Sequence, residues 1–154
     1  MPLYKGINEG NLELWLHDLN KLSRNIILNN NNKYLVAYFF ITLYEYYQVV
    51  CHFRLYGNKY NMPFNAILKD IKLCLKNDSG EYNYVINTFH ALRNSLGHGP
   101  IADASLAILK DLLNETNMFI NILKVLEIDC QLICNVKKVM NELGDLKWLK
   151  ENSF

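Results

Sequence analysis

The chain has 154 residues, of which 51% are hydrophobic and 20% are charged, and its formal net charge at pH 7 is +1. This length favours one domain that covers residues 1–154. The nearly neutral charge excludes a whole-protein basic field of the kind that holds DNA without sequence preference, so any nucleic-acid site must be a local patch.

Apolar residues recur at helical spacing in the first half of the chain and predict three helices. The first covers about residues 11–28 and ends at the polar run 29–32. The second covers about residues 33–56, and a shorter third helix covers about residues 64–75. Residues 77–80 (Asn-Asp-Ser-Gly) then break the chain.

The second predicted helix is long and apolar enough for a membrane-spanning segment to be considered. It carries Glu45 near its centre, together with Gln48 and several tyrosines. A carboxylate at that depth is expensive in lipid. A helix that is apolar nearly all round is also what the middle of a soluble bundle requires. We favour this second interpretation. We therefore expect no membrane partner and a cytoplasmic location.

The second half of the chain is also helical. Val85, Phe89, Leu92 and Leu96 form one apolar stripe of a helix that stops at Gly97. One long helix over about residues 102–126 and a last one over about residues 129–143 follow. No internal repeat or alternating strand pattern is evident, so the sequence predicts an all-α fold, an up-and-down bundle of four to six helices.

Four cysteines are present, namely Cys51, Cys74, Cys130 and Cys134. The N-terminus shows no basic and apolar signal segment, which favours a reducing intracellular setting over a disulfide framework. Cys130 and Cys134 fall on one helix face, but a zinc site needs two more ligands at comparable spacing. We therefore expect neither a metal nor a cofactor.

The most informative segment is Ala91-Leu92-Arg93-Asn94-Ser95-Leu96-Gly97-His98-Gly99. It has an arginine, a polar residue directly after it, and a histidine five positions after the arginine, at the end of an amphipathic helix. In these residues the chain resembles the HEPN family, whose signature is Arg followed four to six residues later by His. The detailed resemblance covers residues 91–99. One subgroup of the family has Tyr two positions after the His, whereas Pro100 stands there in this chain.

The resemblance implies a helical bundle and a metal-independent endoribonuclease of a toxin or antiviral defence system. It also implies a homodimer with the motif at its interface, and an antitoxin or regulatory partner that restrains cleavage. The runner-up function is a non-catalytic module of the same fold that binds a nucleotide or a protein, because fold alone does not fix function.

The spacing of the motif can be examined independently of the family. In an unbroken helix, residues five apart point about 140° away from each other. Gly97 suits a helix C-terminus. If the helix ends there, His98 lies on the turn and can swing back toward Arg93.

The residue types fit RNA cleavage by the 2′-hydroxyl. This reaction needs a base, an acid and positive charge for the phosphorane. His98 suits the proton transfers and Arg93 the phosphate, while Asn94 would orient the backbone or the scissile group. These three are the candidate catalytic residues. The candidates for RNA contacts are Lys69, Lys72, Lys76 and His90.

Structural interpretations of the same residues stay open. Arg93 also fits a surface role beside a carboxylate, and His98 also fits a helix cap. Glu45 is either a buried group bonded to a tyrosine, which is favoured, or an auxiliary group of the Arg93–His98 site. The tyrosines of the second helix can stack bases, but core and dimer-interface roles are favoured for them. They are Tyr34, Tyr38, Tyr44, Tyr46 and Tyr47.

Overall fold

The computed structural model describes residues 9–28, 32–56, 73–75, 79–97 and 103–144. Within these ranges all regular structure is helical, which confirms the all-α prediction. A short helical piece at residues 73–75 is all that is described of the predicted helix over residues 64–75. The longer helices are α1 (Glu9–Leu28), α2 (Lys33–Tyr56), α3 (Ser79–Leu96), α4 (Asp103–Asn114), α5 (Thr116–Val125) and α6 (Cys130–Gly144).

Helix α2 has the predicted bounds and forms the centre of the core. Its N-terminus is capped by Asn32, whose Oδ1 accepts a hydrogen bond from the backbone N–H of Leu35 at 3.1 Å. Phe39, Phe40 and Leu43 are fully buried. Among the described helices, none is long and apolar enough to cross a membrane.

The prediction of one helix over residues 102–126 is wrong, because the chain turns at Glu115 between α4 and α5. The backbone N–H of Glu115 bonds to the carbonyl of Leu112 at 2.9 Å, three residues back instead of four. The Thr116 hydroxyl donates to the carbonyl of Leu113 at 2.6 Å. Such local side-chain bonds compete with helix continuation. The predicted break at residues 77–80 is also too long, since α3 already begins at Ser79.

Helix α5 ends in a pair of backbone bonds typical of a Schellman motif. The N–H of Ile128 reaches the carbonyl of Leu123, and the N–H of Glu127 reaches that of Lys124, both at 3.0 Å. Glu127 has a φ of 55°. Asp129 then caps α6, its Oδ1 accepting from the N–H groups of Gln131 and Leu132. The chain therefore reverses within a few residues, and α5 packs on α6.

Consecutive helices pack against each other, and α1 also packs on α6, which brings the first and last described helices together. A hydrogen bond of 2.8 Å from Asn135 Nδ2 to Asn20 Oδ1 joins these two helices. An aromatic cluster joins α2, α3 and α5. Phe89 lies at its centre, with ring centroids 4.8–5.1 Å from those of its three neighbours, Tyr44, Tyr47 and Phe119.

Candidate active site at the end of α3

The structure describes part of the predicted site. Arg93 and Asn94 lie in the last turn of α3, with His90 one turn earlier. His98 lies outside the described residues, as do the three candidate RNA-contacting lysines, Lys69, Lys72 and Lys76.

His90, Arg93 and Asn94 are spaced by three and four residues, so they share one side of α3. The neighbouring stripe of the helix carries Phe89 and Leu92, which are buried. Because that stripe is fixed in the aromatic core, the three polar side chains are held at the boundary between core and surface. The helix thus presents an arginine, an amide and an imidazole together.

Arg93 forms an ion pair with Glu45 of α2. Its Nε and one terminal nitrogen both donate to Glu45 Oε1, at 3.1 and 2.7 Å. The Arg93 side chain is 25% exposed and that of Glu45 is 12% exposed. The favoured interpretation of Glu45, a hydrogen bond to a tyrosine, is therefore wrong, and the contact agrees with the alternative that Glu45 reaches Arg93. The pair holds the guanidinium in place while part of it still reaches the surface.

The second oxygen of Glu45 carries a cost. Oε2 is buried, and within the described part of the chain it has no hydrogen-bond partner. Leaving a buried acceptor unsatisfied typically costs about 1–3 kcal/mol. Glu45 thus accepts both hydrogen bonds of the pair with one oxygen and leaves the other unpaired among the described residues.

His90 is the middle of a chain of polar side chains. Its Nδ1 lies 2.6 Å from the Tyr44 hydroxyl, and its Nε2 lies 3.1 Å from Asn94 Nδ2. In this orientation of the Asn94 amide, its nitrogen donates and Nε2 accepts. The imidazole proton is then on Nδ1, which donates to the Tyr44 oxygen. The nitrogen that carries the lone pair faces the exposed Asn94.

The surroundings of Tyr44 and His90, the two ionisable residues of this hydrogen-bonded series, favour the neutral form of both side chains. Burial lowers the pKa of His90, and the nearby Arg93 charge lowers it further. Burial raises the pKa of Tyr44 above its usual range, against the opposite effect of its hydrogen bond with Gln48. At neutral pH the site therefore combines a fixed cation with an uncharged imidazole, which is the form that can accept a proton.

The end of α3 is joined to α4. Helix α3 ends at Leu96, and the N–H of Gly97 bonds to the carbonyl of Arg93 at 3.1 Å. The hydroxyls of Ser95 and Ser105 are 2.5 Å apart, which joins α3 to α4. The prediction that the helix stops at Gly97 is therefore confirmed. The end of α3 and the start of α4 are thus held together by a direct contact.

Acidification should destabilise the wild type more than it destabilises His90→Gln. The folded-state pKa of His90 is lowered, so the unfolded chain binds more protons as the pH falls. The stability that depends on a neutral His90 is fully present above the pKa of the unfolded state, about 6.5. It is lost as the pH falls toward the lower pKa of the folded state. Urea unfolding near neutral pH and well below it measures the difference.

The matched control for this experiment is His17→Gln, since His17 is exposed on α1. It should keep the pH dependence of the wild type. If His90→Gln keeps the full pH dependence of the wild type, the pKa of His90 is not lowered in the folded protein.

Sequence reasoning missed Tyr44 as a member of the site and gave Glu45 this role only as the less favoured alternative. Tyr44 was grouped with the other tyrosines of α2, although its hydroxyl contacts His90. Glu45 was noted as a carboxylate in an apolar helix, which was the available signal, but a tyrosine was favoured as its partner over the Arg93–His98 site. Tyr44 and Glu45 lie 46 and 48 positions away from their α3 contacts.

Comparisons with protein-family models, with curated proteins and with solved structures find no match for this chain.

Proposed function

We propose that this protein is a metal-independent endoribonuclease of the HEPN type, acting in a toxin or antiviral defence system. The observation that supports it most is the arginine of the Arg-x4-His motif. Arg93 is held by Glu45 in the last turn of α3, is 25% exposed, and lies three positions after His90, whose pKa is lowered. A preorganised cation next to a proton acceptor is what cleavage of a phosphodiester by its own 2′-hydroxyl requires.

In the proposed reaction, the 2′-oxygen of the RNA attacks the adjacent phosphorus and loses its proton to a base. Arg93 stabilises the negative charge of the phosphorane through charged hydrogen bonds. An acid protonates the leaving 5′-oxygen as the P–O bond breaks. The products are a 2′,3′-cyclic phosphate and a 5′-hydroxyl. His98 is the residue proposed to move these protons, and Asn94 orients the scissile group.

The reaction has two proton transfers, so a second histidine would allow one imidazole to act as the base and another as the acid. A homodimer that joins two copies of the motif would supply His98 twice, as the resemblance to the family implies. His90 offers a second imidazole within one chain, because its Nε2 lone pair faces Asn94 one turn from Arg93. We propose the dimer as the working form, restrained by an antitoxin or a regulatory partner in the cytoplasm.

The direct test is cleavage of single-stranded RNA by the purified protein in EDTA, with DNA of the same sequence as control. We expect the RNA to be cut and the DNA to stay intact, because DNA lacks the 2′-hydroxyl. Cleavage that disappears in EDTA would indicate a metal-dependent nuclease instead.

The Arg93–Glu45 pair also favours a second candidate function, a non-catalytic helical module that binds a nucleotide or a partner protein. An ion pair that joins α2 to α3 is by itself a sufficient structural role for Arg93. A partner that co-purifies with the protein while RNA stays intact in every condition would favour this function over the ribonuclease.

A further inference from the structure

An open groove of about 500 Å³ lies between α1 and α2. Its size is within the usual range for small-molecule sites. One wall comes from α1, where the lining residues recur every three or four positions, and the other comes from α2. Its principal residues are Trp15, Asp18, Lys21, Leu22, Asn25 and Tyr38.

The groove combines an aromatic surface with side chains that donate hydrogen bonds and side chains that accept them. Tyr38 is 60% exposed, so one face of its ring is open to solvent at the groove. Trp15 is fixed by edge-to-face packing on Tyr46, with ring centroids 6.1 Å apart. Asp18 accepts hydrogen bonds, Asn25 both donates and accepts, and Lys21 carries positive charge.

The groove lies beside the residue that holds Arg93. Tyr38 and Glu45 are seven positions apart on α2, so they are separated by only about 20° around the helix and by about 10 Å along it. A nucleotide chain whose phosphate contacts Arg93 can therefore place a neighbouring base at Tyr38.

We infer that this groove binds a base of the RNA strand beside the scissile phosphate, and the inference rests on the proposed function. The base stacks on the exposed ring of Tyr38, since single-stranded RNA is commonly bound by aromatic stacking. Asp18 and Asn25 contact the edge of the base, and Lys21 contacts the adjoining phosphate. The groove thereby selects which bases flank the cleavage site.

Binding of a labelled 2′-O-methyl RNA oligonucleotide, measured by fluorescence anisotropy, tests this inference, because the blocked 2′-oxygen cannot attack. Tyr38→Ala should weaken binding about 5- to 150-fold, the usual effect of losing one stacked base. Tyr84→Ala is the matched control, since Tyr84 on α3 is 59% exposed and is not among the groove residues. It should leave binding unchanged.

The salt dependence of binding tests the Lys21 contact. The logarithm of the association constant falls linearly with the logarithm of the salt concentration. Removal of one phosphate contact makes this fall less steep and reduces the magnitude of the slope by about 0.7 for a single strand. Lys21→Ala should show this decrease, and Lys124→Ala on α5 should not. Equal slopes for the wild type and Lys21→Ala would remove Lys21 from the site.

The outcomes for the groove and for the ribonuclease are distinguishable. RNA cleavage by the wild type, with equal oligonucleotide binding by Tyr38→Ala, overturns the groove and leaves the nuclease. Tyr38-dependent binding without any cleavage supports the groove and overturns the nuclease. Absence of binding by the wild type, or conversion of a dimer to a monomer by Tyr38→Ala in sedimentation, overturns the groove as a base-binding site.

Discussion

Replacing His98 with alanine should lower the rate of RNA cleavage at least about 100-fold, because a positioned acid or base typically contributes a factor of about 10²–10⁴. The substitution should leave the helical content and the oligomeric state unchanged. The measurement is the initial rate of cleavage of a labelled RNA in EDTA, with circular dichroism and sedimentation on the same samples.

The matched control for His98→Ala is His17→Ala, which removes an exposed histidine of α1 and should retain full activity. His90→Ala tests the second imidazole in the same assay. A loss comparable to that of His98→Ala would make His90 a proton-transfer group, whereas full activity would leave both transfers to His98 of two subunits. Equal rates for His98→Ala and the wild type would show that the Arg-x4-His motif does not take part in catalysis.

Replacing Arg93 with alanine should lower the cleavage rate about 100- to 1000-fold, as loss of a preorganised charge-stabilising donor typically does. It should also lower the free energy of unfolding by about 1–2 kcal/mol. Breaking a fully buried ion pair typically costs about 3–5 kcal/mol, but water already screens part of this one, because the Arg93 side chain is 25% exposed.

The double variant Arg93→Ala/Glu45→Gln separates the two roles of the pair. Neutralising Glu45 removes the carboxylate that Arg93→Ala leaves unpaired, so part of the lost stability should return. The cleavage rate should stay low, because no guanidinium is present. Arg24→Ala, on the exposed side of α1, is the control for loss of an arginine. If activity recovers together with stability in the double variant, Arg93 is a structural clamp and does not stabilise the phosphorane.

Local signals in the sequence predicted most of the helical layout. The bounds of α2 follow from the polar run before it and from Asn32, whose side chain caps the helix. The buried stripe of α3 follows from the spacing of Val85, Phe89 and Leu92. The turn at Glu115 was missed because apolar residues continue at helical spacing on both sides of it, so periodicity alone does not reveal the interruption.

The contacts between α2 and α3 at the site could not be predicted from residues that are close together in the sequence. Arg93 and Asn94 were identified because they are neighbours of a histidine in one short motif. Their partners on α2 are brought to them only by the packing of α2 on α3, and no spacing rule connects Glu45 to Arg93 across 48 positions. Exposure was equally hidden, since Tyr38 and Tyr44 belong to one run of tyrosines yet only Tyr38 faces solvent.

The most direct test of the central claim is mass spectrometry of the RNA ends formed in EDTA by the wild type. Attack by the 2′-oxygen with Arg93 as the stabilising charge predicts 2′,3′-cyclic phosphate and 5′-hydroxyl ends, and no cleavage at a position whose 2′-hydroxyl is replaced by hydrogen. Products with 5′-phosphate and 3′-hydroxyl ends, or cleavage at the deoxy position, would contradict it.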